Sequence, residues 1–334
     1  MKSDGHIVIP GYVTDKDLET LANKLLEQPK CKSIALDLNE LTFIEIGPLT
    51  FLISRIVQWQ AQGVEVSIDI NTAHSQCCGY LQRIDFFNYL GINMSEDFNR
   101  HSPKGRFHPV ARIENQASGL ADNLSEAIAE AVIGETSTQD IFFTDQPPEE
   151  GAFEAIAYSV SELIKNIQQH SKGKGAVVSQ FYEKKGMAKL AIFDDGIGIR
   201  NSFIESKSGY SSQIKNDVDA IRLALEGEVS SKLSSSNNNA SAYGDLPDNA
   251  GVGLTFLTML AKRAGGNYTI ISGNGLVSST KATKIKQKTL GTFVHLSFNR
   301  DQLESFGELL EEIKREILPL NEEFQQEDLD SLFE

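Results

Sequence analysis

Cysteine is scarce in this chain: Cys31, Cys77 and Cys78 are the 3 cysteines among 334 residues. The count is odd, the spacing suits no metal, and adjacent cysteines rarely bridge one another. A disulfide scaffold and a zinc site therefore drop out, and reduced thiols of a cytoplasm are expected. Basic charge is also in short supply. Against 46 Asp and Glu stand 31 Lys and Arg, a formal net charge of −15. A duplex would meet a repulsive field, so no nucleic-acid partner is expected. Long apolar runs are missing too, since stretches such as residues 34–38 and 44–53 stop well short of a membrane span of ~20 residues. The segment from Met1 to Pro10 has neither the apolar core nor the cleavage site of a secretory leader. A cytoplasmic protein with no membrane association is the expectation. The single tryptophan, Trp59, stands at helical spacing with Ile56 and is expected in a core.

What is present suffices for two cores. The chain is 40% hydrophobic and 23% charged, ordinary for a globular protein, and its length suggests two domains. A β-branched run at residues 7–9 leads to Asp15 and Asp17, then to Leu18, Leu21, Ala22, Leu25 and Leu26 at helical spacing. Residues 33–38 read as a buried strand, 49–60 as an amphipathic helix ended by Gly63, and 64–70 as a half-buried strand. That alternation implies a parallel α/β layer over residues 1–100. The polar stretch 97–108 marks a boundary, so a linker is expected over 101–110 and a second domain over 111–300.

In the second domain, residues 120–133 and 153–169 read as helices, and 176–182 and 187–193 as strands joined by a hairpin loop. Residues 253–264 form a further helical pattern closing on Gly265 and Gly266. The last strands are expected at 268–271 and 292–298, with a final helix at 303–317 inside a C-terminal segment 301–334. Residues 230–249 hold 6 serines and 4 asparagines and are too polar to bury a core, so they read as a mobile loop. Beyond Pro319 come 6 carboxylates and no base, an acidic tail.

Three pieces of this domain carry chemistry. The first is the helix with Glu162, Asn166 and His170 spaced four apart on one stripe. An Asn oxygen is a hard neutral ligand suited to Mg²⁺, and a neighbouring Glu can take a proton. The plainer alternative is an exposed polar face. The second piece is an apolar strand running into Asp194, Asp195, Gly196 and Gly198. A carboxylate at a strand end accepts from an exocyclic amine such as that of adenine, and the glycines admit a flat base; the alternative is a tight turn. The third is Gly251-Val-Gly253-Leu254 at a helix start, whose free N–H groups and dipole suit phosphate. Its alternative is a simple helix cap.

The order of these pieces, followed by Gly291-Thr292 opening a strand, resembles the GHKL ATPase superfamily (gyrase, heat-shock chaperone, histidine kinase, MutL) from about residue 120 to 298. The resemblance implies a Bergerat-type α/β sandwich that binds ATP with Mg²⁺. It makes Asn166 the Mg²⁺ ligand, Glu162 the general base, and Asp194 the adenine-reading carboxylate. Gly196 and Gly198 would flank the base, Gly251, Gly253 and Leu254 would cradle phosphates, Thr292 would sit by the adenine, and a lid would span about 205–250. Gln169 stands where histidine kinases often carry a base, and Asn249 where their glycine-rich box usually has its first glycine. The N-terminal domain, from residues 34–37 through Glu45-Ile46-Gly47 into a helix, is similar to STAS domains, the anti-sigma-antagonist fold. Those carry a phosphorylated hydroxyl before the helix. Here Glu45 takes the Asp position and Ile46 follows, so the acceptor is missing; Thr42 and Thr50 read as structural. Together the two resemblances imply a partner-switch regulator, a slow ATPase or Ser/Thr kinase, acting on a protein partner of the regulatory or STAS type, with a homodimer among the expected states. The alternative is an ATP-gated switch without phosphotransfer.

Overall fold

The computed structural model describes residues 4–27, 31–72, 75–114, 119–134, 150–169, 174–206, 210–226, 240–241, 244–247 and 253–317. Its N-terminal part forms β1 (Gly5–Val8), β2 (Tyr12–Val13), α1 (Leu18–Leu26), β3 (Ser33–Asp37), β4 (Phe43–Ile44), α2 (Ile46–Ala61), β5 (Glu65–Asp69), α3 (Cys78–Arg83) and α4 (Phe86–Tyr89). Strands β1, β3 and β5 pair in that order as a parallel sheet, and β2 and β4 make a short parallel ribbon. Period-2 alternation in β3 turns Ile34 and Leu36 into the core, beside Leu25, Leu52 and Ile56.

Helix α2 explains how the two halves are joined. It begins at Ile46, three residues earlier than its amphipathic pattern suggests, because Pro48 is tolerated in a first turn. Nearly every side chain from Ile46 to Trp59 is buried, polar Thr50, Ser54, Arg55 and Gln58 included. A helix buried all round needs cover on more than one side. The small parallel sheet covers one side; a second, larger sheet covers the other.

That larger sheet comes from the rest of the chain: β6 (Phe107–Ile113), α5 (Leu120–Ile133), α6 (Glu150–Gln169), β7 (Gly175–Tyr182), β8 (Met187–Asp194), α7 (Ile199–Glu205), α8 (Asp217–Ala224), β9 (Ala240–Ser241), β10 (Gly244–Pro247), α9 (Gly253–Arg263), β11 (Asn267–Ser272), β12 (Gly275–Ser278), β13 (Ala282–Lys284), β14 (Thr292–Asn299), α10 (Arg300–Leu303) and α11 (Phe306–Ile317). Seven strands pair antiparallel in the order β13-β12-β11-β14-β8-β7-β6. One face carries Val177, Leu190, Ile192, Val294 and Leu296, which pack with α5, α6 and α9. The other carries Ala176, Val178, Ala191, Phe193 and Phe293, which pack with α2. Phe51 meets Phe293 edge to face at 5.4 Å.

The class is therefore mixed α/β with a large antiparallel sheet. Several expectations change. The linker placed at 101–110 becomes strand from Phe107, because Phe107 and Val110 join the N-terminal core instead of solvent. The final helix divides into α10 and α11 around Glu304 and Ser305. Within the stretch read as a lid, α8 is a capped helix that packs on β12: Asn216 caps it, and Asp217 Oδ2 accepts from Asn274 N at 2.9 Å. The polar loop read at 230–249 contains the small β9–β10 ribbon, and its remaining residues lie outside the described ones.

Candidate functional site

Antiparallel pairing brings three chain segments to one end of the sheet. Gly175 opposes Asp194, Phe193 opposes Phe293, and Thr292 opposes Ser272. By alternation Asp194, Thr292 and Ser272 share the face that bears Ile192, Val294 and Ile270, on the side of the helices. Asp194 is 7% exposed. Its Oδ1 accepts from Gly196 N at 2.7 Å and its Oδ2 from Thr292 N at 3.1 Å. The first bond is the turn expected of an Asp-x-Gly step; the second ties the turn to β14. Burial pushes the carboxyl up to about 6, against the two backbone hydrogen bonds that lower it. Each oxygen keeps a lone pair for another donor.

The glycines around Asp194 are required by space. A Cβ on Gly291 would stand 2.0 Å from Asp194 O, and Gly291 has φ +64. A Cβ on Gly198, at φ +76, would stand 2.9 Å from Ser272 Oγ. That serine is a site residue the sequence did not reveal. Its hydroxyl accepts from Ile199 N at 3.0 Å, donates to Gly291 O at 3.1 Å and lies 3.4 Å from Thr292 Oγ1. A lone serine closing a strand carries no local signal; only strand pairing brings it here.

Helix α6 supplies the other half of the site. Glu162 is 2% exposed, which removes the alternative of an exposed polar face. Asn166, one turn on, is half-buried. Its neighbour Ile167 lies 3.2 Å from where a Gly175 Cβ would be, so this turn of α6 overlies the strand end that bears Asp194. The start of α9 reaches the same helix: a Cβ on Gly253 would stand 2.9 Å from Ser159 O and 3.0 Å from Glu162 Cβ. Leu254 packs against the helical core. Gly251 and His170 lie outside the described residues. The site thus gathers a buried carboxylate in a glycine-lined turn, a second buried carboxylate, a carboxamide and a helix N-terminus.

No family model matches the chain, and comparison with curated proteins and with solved structures finds no match. What the site does has to be read from its geometry. Asn166 offers a hard neutral oxygen of the kind Mg²⁺ takes, and Glu162, one turn earlier, is a carboxylate able to accept a proton.

On the opposite face of the sheet, Glu45 and Gly47 lie where the N-terminal half meets β8 and β14. Glu45 Oε1 takes Lys185 at 2.7 Å and Oε2 takes Lys189 at 2.8 Å. Tyr182 Oη accepts from Ile46 N at 3.0 Å. Burial alone would raise the Glu45 carboxyl, but the bonds from Lys185, Lys189 and Asp15 N outweigh it and hold it down at about 2. His295 is fully enclosed, 3.4 Å from Asp15, and burial lowers its basicity. A Cβ on Gly47 would stand 2.8 Å from Asp15 Oδ1 and 2.9 Å from His295 Cδ2, so only glycine fits between them.

Proposed function

We propose that the chain is a Mg·ATP-binding regulatory protein of the partner-switch type, a Bergerat-type ATP-binding sandwich fused to a STAS-like interaction module. The observation that carries this reading is Asp194: a buried carboxylate at a sheet end, braced by two backbone N–H groups, with glycines where any side chain would close the space. Adenine's amine donates to Asp194, and the glycine backbones leave room for the ring. The phosphates take the free N–H groups at the start of α9. Asn166 holds Mg²⁺, which when bound neutralises phosphate charge. Glu162, buried beside Gly253, accepts the proton of the attacking hydroxyl or water. The partner is a protein, of the regulatory or STAS type.

A second reading, an ATP-gated switch without phosphotransfer, is favoured by one observation. Ile46 stands at the acceptor position, and its backbone is buried against Tyr182, so that position offers no hydroxyl to be phosphorylated. Incubation with γ-labelled ATP and lysate separates the two. Label on a partner supports kinase action, and release of free phosphate alone supports an ATPase. Binding without either supports the gated switch. Absence of nucleotide binding overturns both.

A further inference from the structure

The carbonyl of Leu290 ends a polar chain that starts in the other half of the molecule. Gln58 of α2 is 2% exposed, and its Nε2 donates to Leu290 O at 3.2 Å. Its Oε1 accepts from Arg55 Nη1 at 2.5 Å. The Arg55 guanidinium lies 5.1 Å over the Trp59 ring, with its Nε buried and without a hydrogen-bond partner. An amide and a guanidinium on a helix packed largely among apolar side chains are costly groups to bury. Two aliphatic side chains would dock α2 on the sheet at lower cost. Their use lies in what Gln58 holds.

From Leu290 the route to the site is two peptide bonds long. Gly291 runs close beside Asp194, where an added Cβ would stand 2.0 Å from Asp194 O, and Thr292 N donates to Asp194. Ser272 Oγ donates to Gly291 O. Segment 290–292 is therefore gripped on one side by Asp194 and Ser272 and on the other by Gln58. We propose that Gln58 is a positioning residue for the nucleotide site, contributed by the N-terminal module, and that it couples occupancy of the site to the docking of α2. This rests on the nucleotide reading of Asp194. A base bound at Asp194 steadies Thr292 and, through it, the Leu290 carbonyl that Gln58 reads. By linkage, a docked α2 favours nucleotide to the same degree.

The test uses the full chain and two variants. Gln58→Leu removes both hydrogen bonds. Gln58→Glu keeps an acceptor for Arg55 and removes the donor to Leu290. Calorimetry measures Mg·ATP affinity, amide exchange over residues 51–61 is followed with and without ATP, and thermal melting reports the fold. Both variants should bind about two- to tenfold more weakly, the range of one net hydrogen bond. ATP should slow exchange over 51–61 in the wild type and leave it unchanged in the variants. A purely structural role would instead speed exchange equally with and without ATP. Folded variants with wild-type affinity, or a wild type whose 51–61 exchange ignores ATP, overturn the proposal. If the wild type binds ATP and Asp194→Asn weakens binding by about one to two decades while both Gln58 variants behave as wild type, only the role of Gln58 fails. A wild type that binds no ATP at all overturns the reading of Asp194 and this proposal with it.

Discussion

Asp194 carries a titration that binding should report. Its carboxyl is pushed up to about 6 by burial, so the native state loses stability as pH rises from 3.8 through 6. An adenine amine donates more strongly to the ionised form, although the neutral carboxyl still offers its carbonyl oxygen. ATP affinity should therefore rise as pH passes upward through 6 and level off above 7, by at most about tenfold per pH unit below 6. Calorimetry across pH 5–8 checks this, and a flat profile speaks against adenine at Asp194. Glu162→Ala makes the complementary prediction. A general base acts in the transition state, so ATP binding should stay near wild type while any hydrolysis or transfer falls about 100-fold or more. Equal loss of both in a folded variant would make Glu162 a metal ligand or a structural group. Asp194 was legible in the sequence because a strand running into Asp-x-Gly-x-Gly is a local pattern. Ser272 was not, since its partners Ile199, Gly291 and Thr292 are distant along the chain.

The start of α9 is built on close approach. Gly253→Ala gains about 1 kcal/mol of helix propensity. The new Cβ, however, would lie 2.9 Å from Ser159 O and 3.0 Å from Glu162 Cβ, contacts a backbone carbonyl cannot relieve. Overpacking of this kind costs about 1–3 kcal/mol, so the clash wins. The variant should melt lower and bind ATP more weakly, because the helix start and Glu162 are pushed apart. Unchanged melting and affinity would mean that α9 is not tied to the site. Helices α1, α5, α6 and α9 were readable from periodicity within a few residues. Of the elements missed, β12 and β13 are short and specified by pairing, β6 lies among Pro and Gly that mask its alternation, and α8 opens on a local signal, the Asn216 cap with Asp219. Phe107 and Val110 gave no strand signal amid Pro103, Gly105 and Pro109, yet they close one edge of the large sheet.

At the scale of the molecule, the sequence separates two halves that the fold unites around α2, and that union depends on charges. Lys189 touches both Asp15 and Glu45, and His295 lies against Asp15, with Lys185 completing the cluster. Burial lowers His295 from its ordinary 6.5, so the native state favours the neutral ring; this stability is full above 6.5 and is lost as pH falls below it. Glu45 adds stability above 4.5 that is lost as pH falls toward about 2. Below about pH 6.5 His295 lowers the unfolding midpoint while protonation of Asp194 between 6 and 3.8 opposes it, so the His295 contribution is read as the difference between the wild-type and His295→Gln profiles. His295→Gln should remove that contribution and leave the one from Glu45, whereas an unchanged profile would exclude His295. None of this was visible beforehand, because Asp15, Glu45, Lys189 and His295 meet only through tertiary packing. The central claim is that the end of the large sheet is a nucleotide site organised by Asp194. Calorimetric titration of Mg·ATP into the wild type and Asp194→Asn at pH 7.5 tests it most directly. Exchanging the acceptor for a partial donor leaves a buried mismatch of about 1–3 kcal/mol. Affinity should therefore fall by about one to two decades in a variant whose cooperative melt shows it folded at the assay temperature. Equal affinity in the two proteins, or no binding to either, would contradict it.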